Sequence, residues 1–164
     1  MTQHTQHTDH HAHSPRLDLF GDPVVAKALK YFASASQALI TGSRVPRTTQ
    51  DLILLRASQI NGCGFCTAVH SKDLADAGES AARVHLVAAW REATVHTDAE
   101  RAALELAEQG TRIADAAGGV PDEVWERAAK HYDEGQLAAL IAFISLINAS
   151  NRMGVMNRMA GGAA

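Results

Sequence analysis

The chain has 164 residues, 46% of them apolar and 20% charged, with a formal charge of −3 when histidine is neutral. That length fits one domain able to bury a sizeable core. Aromatic residues make up only 5%, and no cluster of Lys and Arg forms a basic face, so a base-stacking nucleic-acid binder is excluded.

The first fifteen residues read as a flexible tail ahead of a single domain over 16–164. Five of the nine histidines fall in it: His4, His7, His10, His11 and His13. They suit either loose capture of a transition metal or a tail of merely biased composition. The tail lacks the apolar segment of a signal peptide, and no continuous apolar run reaches the roughly 18 residues that span a bilayer. The expectation is a cytoplasmic protein without a membrane partner.

Beyond Pro15 the pattern is helical, and no segment alternates with period two. A first helix is predicted from Pro23 to Gly42 with Asp22 as its N-cap. A second runs from about Thr49 to Asn61, with Ile53, Ala57 and Ile60 on one face and Asn61-Gly62 as its stop. A third starts near Cys63 and ends at Ala77, before Gly78. A fourth covers about 80–94 and stacks Leu86, Ala89, Trp90 and Ala93.

Thr97-Asp98-Ala99-Glu100 has the pattern of a capping box and opens a fifth helix, which Gly118-Gly119 closes. Pro121 suits the first turn of a sixth, ending near His131. Asp133 with Gln136 three residues later caps a seventh, with Leu137, Leu140, Ile141 and Ile144 as its apolar stripe. The expected fold is an all-α bundle of about six to seven helices. The segment before Cys63 is helical, which disfavours a thioredoxin fold.

Cys63 and Cys66 are the only two cysteines. Thiols three apart can close a disulfide with little backbone movement. His70 follows Cys66 by one helical turn, so Cys63, Cys66 and His70 share a face. A helix N-terminus favours thiolate, and an imidazole one turn away can accept the Cys66 proton. Cys66 lies beside His70, which favours it as the activated thiol. Cys63 lies nearer the helix start, which favours it as the exposed one.

If the second and third helices form a hairpin at Asn61-Gly62, Asp51 lies roughly 15 Å from the turn and His70 roughly 12 Å. Asp51 then either fixes the His70 tautomer or serves only as a first-turn acid favourable to the helix dipole. A zinc ion held by Cys63, Cys66 and His70 is a competing reading, with Asp51 or a tail histidine as fourth ligand. An oligomeric redox sensor or disulfide-exchange protein without turnover is another.

Trp90 and Trp125 are read as core or interface residues, and Met153, Met156 and Met159 as a packing stripe. His85 and His131 are read as surface or capping groups, and His96 as part of a turn. Glu100 satisfies its own capping box and is left out of the catalytic set.

The run from Gln50 through Cys63-Gly64-Phe65-Cys66 to His70 resembles the core of the AhpD-like branch of the carboxymuconolactone decarboxylase family. Thr97–Leu104, Ala138-Ala139-Leu140-Ile141 and Ile147-Asn148-Ala149-Ser150-Asn151-Arg152 resemble it too, and the likeness covers about residues 20–155. The resemblance implies an oligomer, a trimer or hexamer, that reduces alkyl hydroperoxides with its two cysteines cycling between dithiol and disulfide. An external dithiol restores the pair, and no cofactor is implied. It also implies a proton relay of a Glu, a His and both cysteines. His70, Cys63 and Cys66 match that relay. The Glu position is Asp51 here, shorter by one carbon–carbon bond of about 1.5 Å. The family's usual Trp before the Asn-Arg pair is Ser150. The family's other chemistry, decarboxylation of a muconolactone, needs an acid and a base but no dithiol.

Overall fold

The computed structural model describes residues 14–162. The five tail histidines lie outside these residues. Seven α-helices form, and there is no strand among the described residues: α1 Pro23–Gly42, α2 Arg47–Ile60, α3 Gly64–Asp76, α4 Ala81–His85, α5 Asp98–Thr111, α6 Asp122–Ala129 and α7 Glu134–Met156.

Helix starts follow side-chain chemistry. Asp22 accepts the free N–H groups of Val24 and Val25. Thr97 with Glu100, and Asp133 with Gln136, complete full capping boxes on α5 and α7. The α2 C-terminus is a Schellman motif. Gly62 takes φ +68°, its N–H donates to Gln59, and the Cys63 N–H donates to Ser58. Gly78 repeats the device after α3 at φ +87°.

α2 is buried on two sides. Ile53, Leu54 and Ala57 pack with Leu106, Leu140 and Phe143, while Leu52 and Leu55 pack with Leu74, Val84 and Trp90. The second group is bounded by polar work. Arg56 donates to Glu108 through two nitrogens, and the Trp90 indole N–H donates to the same carboxylate. α1 differs from the rest: none of its residues is buried, and Val24 and Tyr31 stand exposed.

Several expectations need correction. The predicted helix over 80–94 stops at His85 and continues as i to i+3 turns, as in Val87 N–H to Val84 and Ala93 N–H to Trp90. The buried residues there recur every third position, at Val84, Val87, Trp90 and Ala93, while Leu86 is exposed. A spacing of three matches the tighter helix and not the α-helix. α5 ends at Thr111 rather than at Gly118-Gly119, and a short 3-10 turn, Ile113–Asp115, follows. Past Thr111, residues 112–115 are all exposed, Ile113 among them, so no buried face extends the helix.

On α7, Ile141 is exposed and Ile147 takes its place in the core. Trp90 is buried, whereas Trp125 is exposed in the protomer. α7 is also long and apolar enough, by length and composition, to cross a bilayer. Its apolar residues are interrupted by Gln136, Ser145, Asn148 and Ser150, so no continuous apolar run marks it in the sequence. In the fold this helix packs against α2, α5 and α1.

Candidate active site

The Schellman turn after α2 hands the chain directly to α3, with Cys63 as the N-cap in extended conformation. Cys63 and Cys66 are joined as a disulfide. The Cys63 sulfur also accepts the Cys66 N–H at 3.3 Å. A network of amides fixes this corner. Asn61 Nδ2 donates to Asn148 Oδ1 and to Asn151 Oδ1, both at 2.9 Å. Asn151, fully buried, donates onward to Ser58 Oγ at 3.1 Å. The Asn148 and Asn151 singled out from the sequence thus tie α7 to the turn that presents the cysteines.

Gly154 of α7 lies against the disulfide. A Cβ built there would stand 2.9 Å from Cys63 Sγ and 3.6 Å from Cys66 Sγ. Behind it, the backbone of Gly161 crosses Gly64 so closely that a Cβ at 161 would meet the Gly64 carbonyl oxygen at 2.4 Å. Cys63 therefore sits under the C-terminal segment and is only 1% exposed, against 7% for Cys66. This reverses the expectation that Cys63, nearer the helix start, would be the exposed thiol.

Cys66 and His70 line an apolar chamber of about 610 Å³ between α3, α7 and the segment before α1. Met153 and Met159 line it as well, so two members of the methionine stripe belong to the site, while Met156 is exposed.

His70 meets two carboxylates. An oxygen of Asp51, a ring nitrogen of His70 and an oxygen of Asp73 lie within 4.8 Å of one another. The hairpin geometry expected from Asn61-Gly62 therefore does bring Asp51 to His70. The closer contact is with Asp73, whose Oδ2 is 3.5 Å from His70 Nδ1. That separation allows attraction between charges, but Nδ1 makes no aligned hydrogen bond. Asp51 is 1% exposed, and its Oδ2 accepts from Arg47 Nε at 2.8 Å while Oδ1 has no partner. Because α2 starts at Arg47, Asp51 is its fifth residue and lies past the first turn, so the reading of it as a first-turn acid does not hold; it sits against the histidine.

Burial pushes the His70 pKa below its ordinary value. Asp73 and then Asp51 oppose this, and Arg47 adds to it. A lowered pKa favours the neutral imidazole, the form that can accept a proton.

Asp51, His70 and Asp73 are also the residues that could hold a cation. The sequence-based zinc set differed, and in the disulfide state neither Cys63 nor Cys66 offers a thiolate. Glu100 stays out of the site. It closes its capping box through Thr97 and accepts from Arg83 at 2.6 Å. His85 and His131 are exposed, whereas His96 is buried with both ring nitrogens unpartnered.

The sequence reading missed Asp73, Arg47, Gly154 and Asn157. Asp73 was findable, since it follows His70 by three and so shares its helix face.

The carboxymuconolactone decarboxylase family profile matches residues 26–109. YdfG of Bacillus subtilis (strain 168), itself uncharacterized, is 42% identical over 113 residues, which are 69% of this chain and 76% of YdfG. The crystal structure of an Agrobacterium tumefaciens protein of unknown function, with a suggested role in antioxidant defence as AhpD, aligns with a TM-score of 0.84 and 29% identity. It covers 92% of this chain and all of that one. The debrominase Bmp8 shares the fold at a TM-score of 0.74 and 20% identity, over 86% of this chain and 73% of its own. The chain belongs to the carboxymuconolactone decarboxylase family, in its AhpD-like branch.

Proposed function

We propose that this protein is a thiol-dependent peroxidase that reduces alkyl hydroperoxides through a Cys63/Cys66 dithiol–disulfide cycle. The observation that carries the reading is the disulfide at the start of α3, with Cys66 and His70 lining one chamber. The fold likeness to the Agrobacterium protein, with its suggested antioxidant role, supports it.

In the reduced protein, neutral His70 takes the Cys66 proton. The Cys66 thiolate attacks the terminal oxygen of ROOH, the O–O bond breaks, and RO⁻ leaves with the proton from His70 as ROH. Cys66 is then a sulfenic acid. The Cys63 thiol condenses with it, expels water and forms the disulfide. An external dithiol restores both thiols by exchange and is itself oxidised. Asp51 and Asp73, both close to the ring, stabilise the imidazolium that forms in passing.

The restoring step needs a reducing compartment, which fits a cytoplasmic location. A homo-oligomer, trimer or hexamer, is supported by α1, an apolar helix with no buried residue in the protomer.

The test is stopped-flow mixing of reduced protein with an alkyl hydroperoxide, with free thiols counted before and after. The expected result is loss of two thiols in wild type and no reaction in Cys66→Ser. Cys63→Ser should react once and keep a sulfenic acid that dimedone traps. Retained thiols in wild type would remove the peroxidase reading and leave disulfide exchange with a partner.

A further inference from the structure

The chamber in front of Cys66 has a composition and a boundary that the thiol chemistry alone does not require. Leu19, Phe20, Leu29, Phe65, Val69 and Ile147 supply much of its wall. Its volume of about 610 Å³ lies within the roughly 300–1,000 Å³ typical of small-molecule sites. Besides the reacting Cys66, two titratable groups, Asp18 and His70, line it. Asp18 is already occupied, since its Oδ1 accepts the Phe20 N–H at 2.9 Å. Burial disfavours the charged form of His70. No Lys or Arg lines the wall, so an anionic substituent meets no counter-charge there.

The outer wall is the segment before α1, and it is fastened on purpose-built contacts. The Leu17 N–H donates to Asn157 Oδ1 at 2.9 Å, and Asn157 Nδ2 donates back to the Leu17 carbonyl at 3.0 Å. The Arg16 N–H donates to the Asn157 carbonyl at 3.0 Å. Asn157 is 7% exposed and Leu17 is 70% exposed, so this pairing is half-buried at the surface. On the facing side stands Ser150, a small residue on α7 that leaves the chamber open.

We infer that this chamber selects bulky, uncharged organic hydroperoxides over small polar ones, and that Asn157 acts as a positioning residue by holding the segment that closes it. The inference rests on the peroxidase reading of the same site. A large apolar R group gains by leaving water for this wall, whereas hydrogen peroxide has no apolar surface to bury. A carboxylate or phosphate on the substrate would be stripped of water with no partner to replace it.

Two measurements test this. In the first, reduced protein is mixed with cumene hydroperoxide or hydrogen peroxide, and the ratio of the two rate constants for thiol loss is taken. Wild type should favour cumene hydroperoxide. The ratio should fall by about tenfold or more in Ser150→Trp, which fills the chamber, and in Asn157→Ala, which releases its wall. In the second, the uncharged dye N-phenyl-1-naphthylamine is titrated into each protein and displaced with cumyl alcohol, which cannot react. Binding and displacement are expected in wild type and lost in Ser150→Trp.

Circular dichroism checks the folding of both variants, and Asn157→Ala carries the test if Ser150→Trp does not fold. An unchanged ratio in folded variants, or a wild type that binds no dye, overturns the inference. A second copy covering the chamber would give that last result. If neither peroxide oxidises the thiols, the peroxidase reading fails by itself. Dye displacement then decides the chamber: retained in wild type and lost in Ser150→Trp upholds an apolar ligand site, and no displacement overturns it.

Discussion

Gly154 and Cys63 are in contact across the α3–α7 interface, so closely that a single added methyl carbon on Gly154 would stand 2.9 Å from the Cys63 sulfur. The neighbouring atom is a disulfide sulfur anchored at a helix N-cap, not the far end of a flexible side chain. It has little room to yield. Glycine in a helix interior costs about 1 kcal/mol relative to alanine, yet α7 keeps one here. Gly154→Ala should therefore destabilise the oxidised protein by about 1–3 kcal/mol, as overpacking does, instead of stabilising the helix. Urea unfolding of the two oxidised proteins measures this. A variant as stable as wild type would mean that the sulfur is free to move.

The pH dependence of thiol oxidation should report His70. Its pKa is lowered by burial, so the neutral base persists to below the ordinary imidazole value of about 6.5. The oxidation rate should hold steady above that pH and fall on the acid side as the ring takes its proton. Asp73 raises this pKa and Arg47 lowers it. Asp73→Asn should then move the acid limb to lower pH, and Arg47→Gln should move it to higher pH. Rate–pH profiles of the three proteins check both signs. Shifts in the same direction for the two variants would show that the limb belongs to another group.

How far the sequence reached depends on whether a signal was local. Asn61-Gly62 was legible because the turn needs a residue at positive φ, and glycine supplies it without strain. Thr97 and Asp133 were legible because a capping box lies within four residues. The meeting of Asp51 with His70 followed from that one turn and a constant rise per residue. The segment after His85 was misread because Leu86, Ala89, Trp90 and Ala93 fit an α-helical face, while the buried face recurs every third residue. Gly154 and Asn157 were out of reach for a different reason. Their partners, Cys63 and Leu17, lie far away in sequence, and only packing brings them together. The order of cysteine burial fell with them, because the Gly161 segment that covers Cys63 leaves no mark near residue 63.

Asn151 holds the corner that presents the thiols, so its loss should be felt in stability and in redox behaviour together. Asn151→Ala leaves Ser58 Oγ without its donor and Asn61 Nδ2 with one acceptor instead of two. A buried polar group deprived of its partner costs about 1–3 kcal/mol. The expected outcome is a loss of that size in urea unfolding, with slower closure of the disulfide in rapid-quench thiol counts. Full stability with unaltered closure would show that Asn148 alone carries the tie.

His96 should make stability fall on mild acidification. It is 6% exposed, and neither ring nitrogen has a hydrogen-bond partner. Burial first, and then the charge of Arg83, push its pKa below the ordinary value, while Glu100 and Glu79 pull the other way. The unfolded chain therefore binds a proton on His96 at a pH where the folded chain does not. Stability from this group is complete above the unfolded value of about 6.5 and is lost as pH falls through the lower folded value. His70 is shifted in the same direction and adds to the slope. Replacing His96 with Leu removes one of the two contributions and an unpartnered polar ring at once. The variant should lose less stability than wild type between pH 7.5 and pH 5, measured as urea midpoints, and His70→Asn should flatten the remainder. An unchanged slope in His96→Leu would mean that His96 has the same pKa in the folded and unfolded chains.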